Sequence, residues 1–232
     1  MEVTRKAVIL KESRGQHPQT PNYSFKTMTS FQLDPWKSIQ PNQYFVQEGL
    51  HYVAGNRDSD TLMAKWYRYP VRFKGFGSDD KLYGGDYEDW LDGGEGNDKL
   101  YGGKGNDLLW GDEGNDELIG NTGDDRLYGG LGNDSLYGGE GDDLIEGLTG
   151  FDKVQGGAGN DTFWLNQDDG YTHIEDFTKG EDVIKIRGVF DLQSLDILPA
   201  GSDMQIRYGD NLLAIVDNAA SSPFDVKGDF LA

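Results

Sequence analysis

The sequence has no cysteine and only three histidines, His17, His51 and His173. The first absence removes disulfides as a stabiliser, and the two together exclude a zinc centre built from thiolates and imidazoles. Basic residues are few beside acidic ones: 21 Lys and Arg stand against 41 Asp and Glu, a formal charge of −20. That balance argues against nucleic acid or an anionic bilayer as the main partner and in favour of bound cations. Long hydrophobic runs are missing as well, and no stretch approaches the roughly 18 apolar residues of a membrane span. Between Met1 and Gly15 the only apolar run is Ala7 to Leu10, too short for the core of a secretory leader. No H-E-x-x-H and no G-x-S-x-G occurs, and the three histidines lie far apart, so the chain is expected not to be an enzyme, a secreted enzyme with an unrecognised site being the less favoured alternative.

What is abundant is glycine, with 34 residues, and it is periodic. Counted in nines from Gly75 to Trp164, ten units follow one another without insertion or deletion. The sixth place of every unit is aspartate: Asp80, Asp89, Asp98, Asp107, Asp116, Asp125, Asp134, Asp143, Asp152 and Asp161. The eighth place is always apolar, from Leu82 and Leu91 through Leu136 to Ile145, Val154 and Phe163. Glycines at places one, two and four let the chain turn through positive φ and bring carbonyls close to a guest. Aspartate supplies a hard anionic oxygen, and carboxylates with carbonyls suit a cation that takes six to eight oxygens, as calcium does. Places seven to nine form a short strand whose middle residue points inward.

The unit Gly93-Gly94-Glu95-Gly96-Asn97-Asp98-Lys99-Leu100-Tyr101 resembles the G-G-x-G-x-D-x-U-x nonapeptide of the RTX calcium-binding family. The resemblance implies an all-β chain, a parallel β-roll of ten nonapeptides with a short amino-terminal cap and an antiparallel carboxyl-terminal β cap. Two nonapeptides make one coil, so one column is Asp80, Asp98, Asp116, Asp134, Asp152 and the other Asp89, Asp107, Asp125, Asp143, Asp161. Coils about 4.8 Å apart set successive carboxylates to repel by roughly 3 kcal/mol at an effective dielectric of 20, and a cation in each gap reverses the sign. Four gaps per column give at most about eight internal calcium sites. Turn carbonyls of Gly93, Gly94, Gly96, Gly102, Gly103, Gly105, Gly111, Gly114, Gly120, Gly123, Gly129, Gly130, Gly132, Gly138, Gly139 and Gly141 complete the expected ligand set. One buried apolar residue per nine is a thin core against the entropy of ordering the chain, so the roll is expected to fold only with calcium.

Several units depart from the pattern: Phe76 and Ser78 in the first, Tyr87 in the second, and Asp112, Asn121 and Leu148 at place two elsewhere. Asp and Asn tolerate left-handed geometry, so sites near Asp116 and Asp125 are expected to survive, and those near Asp80, Asp89 and Asp152 to be weaker. Outward ninth places carry Tyr83, Tyr101, Ile119, Tyr137 and Gln155 on one face and Asp92, Trp110, Tyr128, Glu146 and Trp164 on the other. They suggest either packing along the sheet or an adhesin surface that binds glycan or a cell-surface partner.

Residues 1–42 read as irregular, 43–74 as cap strands, 75–164 as the roll and 165–232 as a β cap. Asp60-Thr61-Leu62-Met63 looks like a decayed unit out of frame, because Asp60 and Asp80 are twenty residues apart. Basic and aromatic residues from Lys65 to Arg72 offer an alternative ligand site. After Trp164 the register is expected to be lost, with short strands near 171–177, 182–186, 195–198, 204–208 and 212–216 and a hairpin turn at Gly209-Asp210-Asn211. Ile174-Glu175-Asp176-Phe177 and Gly180-Glu181-Asp182 resemble the segment that closes RTX rolls, making Asp176 and Asp182 further candidate calcium ligands. Asp229-Phe230-Leu231-Ala232 resembles a type I secretion signal. The resemblance therefore implies a secreted, non-catalytic protein that threads its exporter unfolded and folds in extracellular calcium.

Overall fold

The computed structural model describes residues 43–45, 52–64, 69–166, 170–187, 194–219 and 230–231. Nineteen strands and no α-helix are found among them. The first four are β1 (Gln43–Phe45), β2 (Tyr52–Ala54), β3 (Thr61–Met63) and β4 (Arg72–Gly77). The repeat adds β5 (Lys81–Gly85), β6 (Trp90–Glu95), β7 (Lys99–Lys104), β8 (Leu108–Glu113), β9 (Glu117–Thr122), β10 (Arg126–Leu131), β11 (Ser135–Glu140) and the long β12 (Leu144–Ala158). Then come β13 (Thr162–Leu165), β14 (Gly170–Ile174), β15 (Val183–Ile186), β16 (Leu195–Ala200), β17 (Asp203–Tyr208), β18 (Asn211–Val216) and β19 (Phe230–Leu231).

Strands two apart in sequence pair in parallel, as two nonapeptides per coil require. Leu100 faces Leu82 and Leu118, and Leu109 faces Leu91 and Leu127. One sheet runs β2-β4-β6-β8-β10-β12-β13-β15-β19, and the opposite sheet runs β1-β3-β5-β7-β9-β11-β12-β14-β18. The result is a parallel β-solenoid, with each eighth place buried between the sheets and each seventh and ninth place outside. Every eighth-place residue of the ten units is at most 1 % exposed. Because each such leucine lies in a closed row, Leu109→Ala is expected to lower the stability of the loaded roll by about 2–5 kcal/mol, read as a shifted denaturant midpoint.

The ladders run past both ends of the nonapeptide count. Gln43 pairs with Thr61 and Arg72 with Trp90, both eighteen apart, whereas Tyr52 pairs with Arg72 and Thr61 with Lys81, both twenty apart. Two extra residues therefore lie between Met63 and Arg72, and the frame shift that set Asp60 apart in the sequence is absorbed there. Asp60 and Leu62 are buried as a sixth and an eighth place. At the other end, Gly150 pairs with Gly170 and Phe163 with Ile184. The eighteen-residue register ends there, as steps of twenty and twenty-one show, but β14 and β15 continue the parallel ladders as further rungs reached through slightly longer connections. Closure comes later, where β16, β17 and β18 form an antiparallel meander, its second turn passing Gly209 between Tyr208 and Asn211 as the turn residues suggested. Residues 1–42, 65–68 and 220–229, with His17 and His51, lie outside the described residues, and so does most of the Lys65–Arg72 ligand site.

Candidate metal centre

Each sixth-place aspartate sits where the turn enters the strand, and its side chain is folded back under its own turn. A Cβ on Gly111 would overlap the Asp116 carboxylate, and the same holds for Gly102 with Asp107. Glycine at place one is thus required by space and not by φ. Most glycines at places two and four are favoured on both grounds. Gly114 has φ +140° and a Cβ there would fall on the Gly96 carbonyl oxygen one coil away; Gly130 meets the Asp112 carbonyl in the same way. Carbonyls of successive turns therefore point along the roll axis at the next turn, where only glycine leaves a gap beside them. Where glycine is missing, Phe76, Ser78, Asp112, Asn121 and Leu148 still take φ between 66° and 87°. Tyr87 is absent from the positive-φ residues.

The two oxygens of each carboxylate do different things. Oδ1 accepts the backbone N–H of the residue one coil back: Asp80 donates to Asp98, Asp98 to Asp116 and Asp116 to Asp134, at 2.7–2.8 Å. The other column repeats this, Asp89 to Asp107 and Asp107 to Asp125 at 2.7 Å. Oδ2 is left. In Asp80, Asp89, Asp98, Asp107, Asp116, Asp125, Asp134, Asp143 and Asp161 it is buried with no hydrogen-bond partner. A buried, unpartnered anionic oxygen is costly. Burial accordingly pushes these carboxyls up, Asp107 to about 8, Asp116, Asp134 and Asp143 to about 7, and Asp98 and Asp125 to about 6, against the pull of the N–H each accepts. Neighbouring carboxylates in the column add to the rise at Asp107 and Asp116.

These groups fit a hard cation. Nine orphaned carboxylate oxygens line up beside carbonyl-rich turns, with no sulfur and no imidazole near them, which is the donor set of calcium. Among the described residues no group of three or more acidic or imidazole side chains is placed to hold an ion by itself, so each ion would draw on the repeat aspartates and complete its shell with turn carbonyls. Asp80 and Asp89, expected to be weaker, sit like the others. Asp152 is the one repeat aspartate whose Oδ2 is not in the orphaned set, and its turn carries Leu148 at φ 77°.

Asp182 and Asp176 are differently employed. Asp182 Oδ1 accepts from Asp161 N–H at 3.0 Å, continuing the column, but its Oδ2 accepts Thr178 N–H at 2.6 Å. Asp60 Oδ2 likewise accepts Asn56 N–H from its own turn at 2.6 Å. Asp176 spends both oxygens on Gly156 and Gly157 N–H at 2.9 Å. Backbone donors thus meet both oxygens of Asp176 and of Asp182, which anchor the chain where the glycine turns end.

A second ladder lies at place five, an unspecified position of the nonapeptide pattern. Asn97 Oδ1 accepts Asn115 N–H at 3.0 Å and Asn115 Oδ1 accepts Asn133 N–H at 2.7 Å; across the roll, Asp124 Oδ1 accepts Asp142 N–H at 3.0 Å. Place five reaches toward the following coil, place six toward the preceding one. The signal was present: eight of ten fifth places are Asn or Asp. Asn115→Ala is expected to cost about 1 kcal/mol without changing the number of ions bound, measured by melting in saturating calcium.

The outward rows divide. Tyr83 and Tyr101 stack with centroids 4.8 Å apart at 3°, and Trp110 and Tyr128 at 4.1 Å and 16°. Glu146, expected to face outward, is 2 % exposed because Arg187 and Asn166 cover it. His173 Nε2 lies 2.6 Å from Asp217, with Lys153 and Ile215 as its ladder neighbours, neither of them a hydroxyl or thiol nucleophile.

The family model of the RTX calcium-binding nonapeptide repeat matches residues 74–109, 110–145 and 137–171. No curated protein sequence matches the chain. Among solved structures, the AlgE6R3 subunit of the Azotobacter vinelandii mannuronan C5-epimerase is 21% identical, over 68% of this chain and 80% of that one, with a TM-score of 0.33. The extracellular lipase LipA from Serratia marcescens is 14% identical, over 75% of this chain and 45% of that one, with a TM-score of 0.35. Overlaps this loose say nothing about activity. Repeat, turn geometry and orphaned carboxylates agree without them: residues 74–171 match the RTX calcium-binding nonapeptide repeat and are folded as a parallel β-roll.

Proposed function

We propose that this chain is a secreted, non-catalytic protein whose roll folds on binding calcium outside the cell. The observation that carries the reading is the set of nine buried Oδ2 atoms with no partner. In the cytosol, where calcium is scarce, such a column is unfavourable, and an unfolded acidic chain can be threaded through a type I exporter; in millimolar calcium the same column becomes the reason to fold. No helix among the described residues is long and apolar enough to cross a membrane, and the RTX match is the further support for an extracellular role.

A direct test compares Asp116→Asn with Asp176→Asn by calcium titration calorimetry. Asp116→Asn is expected to lower both the number of ions bound and the affinity of its neighbours. Asp176→Asn should lower the melting temperature at unchanged stoichiometry, since its partners are Gly156 and Gly157 N–H. Equal stoichiometry in both variants would sink the assignment of the repeat aspartates as ligands.

A further inference from the structure

The two outer faces of the roll differ in charge. On the sheet that holds β3, β5, β7, β9, β11 and β14, three lysines face three acids: Lys99 pairs with Glu117, Lys153 with Glu175, Asp217 lies against His173, and Lys81 completes the row. That face is neutral. The opposite face, formed by β4, β6, β8, β10, β12, β13 and β15, presents Arg72, Lys74, Arg126, Lys185 and Arg187 against Asp92, Asp112 and Glu146, a net of +2 on a chain of −20. Its cations recur at regular height. Arg72 and Lys74 stand on one rung, Arg126 three rungs on, and Lys185 three rungs beyond that, so successive positive groups are about 14 Å apart at the usual strand spacing. Arg126, in the middle, is exposed and has no ion pair among the described residues although 41 acidic side chains are available to it.

Aromatic rings fill the rungs between. Arg72 lies 4.9 Å from the Trp90 ring, Lys185 and Arg187 lie 5.4 and 4.7 Å from Trp164, and Trp110 stacks on Tyr128. Arg72, Lys185 and Arg187 thus rest on flat ring surfaces while Arg126 is exposed, and the ring faces of Trp110 and Tyr128 are turned to each other. Glu95 and Glu113 on the adjoining turns make an acidic border.

We infer that this face binds a linear anionic polysaccharide whose carboxylates are separated by uncharged sugars, lying along the roll axis over Arg72, Arg126 and Lys185. Sparse, evenly spaced cations match sparse, evenly spaced anions. A nucleic acid strand, with a charge every 3.4 Å or so, would leave most of its phosphates uncompensated beside an acidic border. A bilayer calls for a broad apolar patch, and here the exposed apolar side chains Phe76, Trp90 and Leu131 stand apart among cations and the acidic border. The inference rests on the folded roll of the preceding section and adds a partner to it.

The probe is hyaluronan, in which carboxylates alternate with neutral sugars, presented to the full chain in millimolar calcium, with neutral dextran and anionic phospholipid vesicles alongside. Binding to hyaluronan that weakens as salt is raised, falls roughly fivefold in Arg126→Gln, and disappears in the combined Arg72→Gln, Arg126→Gln, Lys185→Gln variant is the expected result. Lys81→Gln, on the neutral face, should bind as the parent does. A folded chain that ignores hyaluronan, that loses binding equally in Lys81→Gln, or that binds only vesicles would overturn the inference. Circular dichroism on the same samples keeps the two readings apart: a fold indifferent to calcium counts against the metal reading while the binding comparison still decides this one.

Discussion

In excess chelator near neutral pH the β signal of this chain is expected to collapse, and to return cooperatively in millimolar calcium but not in magnesium. The argument is local. Without an ion, nine buried Oδ2 atoms have no partner, and each column stacks carboxylates that raise one another's pKa, as at Asp107 and Asp116. Eighth-place side chains bury one apolar group per nine residues, too little to carry that burden alone. With ions present the sign changes. At 100-fold saturation each site adds about 2.7 kcal/mol, so the eight sites the columns offer would add on the order of 20. Magnesium demands smaller, more regular octahedra and sheds its water reluctantly, and should substitute poorly. Cooperativity follows because consecutive aspartates of a column are tied by Oδ1, so ordering one turn places the next. A chain with the same spectrum and melting point in chelator as in calcium would refute this.

The second large effect is a reversed response to acid. Carboxyls whose folded pKa is raised, here to about 6 at Asp98 and Asp125, about 7 at Asp116 and about 8 at Asp107, bind protons more tightly folded than unfolded. Their contribution to stability is complete below the unfolded value of 3.8 and is lost as pH rises through 6 to 8. In chelator, then, acidification from about pH 8 toward about pH 4 should recover β structure, protons standing where ions would. In calcium the opposite holds, because binding needs the carboxylate, and affinity should fall as pH drops through the same window. Spectra recorded across that range with and without calcium should diverge in slope; parallel curves would mean that the buried carboxyls titrate normally.

The repeat itself was plain in the sequence because two independent places, six and eight, kept time over ten units. Harder to see was everything that depends on loop length. Asp60 looked out of frame, yet its N–H donates to Asp80 Oδ1 at 2.6 Å, because two residues between Met63 and Arg72 are taken up outside the ladder. Thr172 and Ile174 carry the column on after Asp152 and Val154, but threonine at the sixth place hides the match. Burial of Glu146 depends on Arg187, 41 residues away, and no local pattern foretells it. The N–H groups that reach Asp176 and Asp182 depend on backbone geometry that no local pattern carries. The asymmetry of the two faces could have been read from the seventh and ninth places together; the ninth alone concealed it.

The opposed reach of places five and six has an outcome for how such a chain changes length. Every coil is stapled upward by one side chain and downward by another, so a coil touches only its immediate neighbours. Excising eighteen residues, for instance 102–119, would rejoin equivalent groups and leave a shorter roll of the same cross-section. Excising nine would transpose the tyrosine row onto the tryptophan row and break the run of cations. Growth and loss in this lineage of repeats should therefore proceed by whole coils, with the evenly charged face surviving only when the number removed keeps its spacing of three.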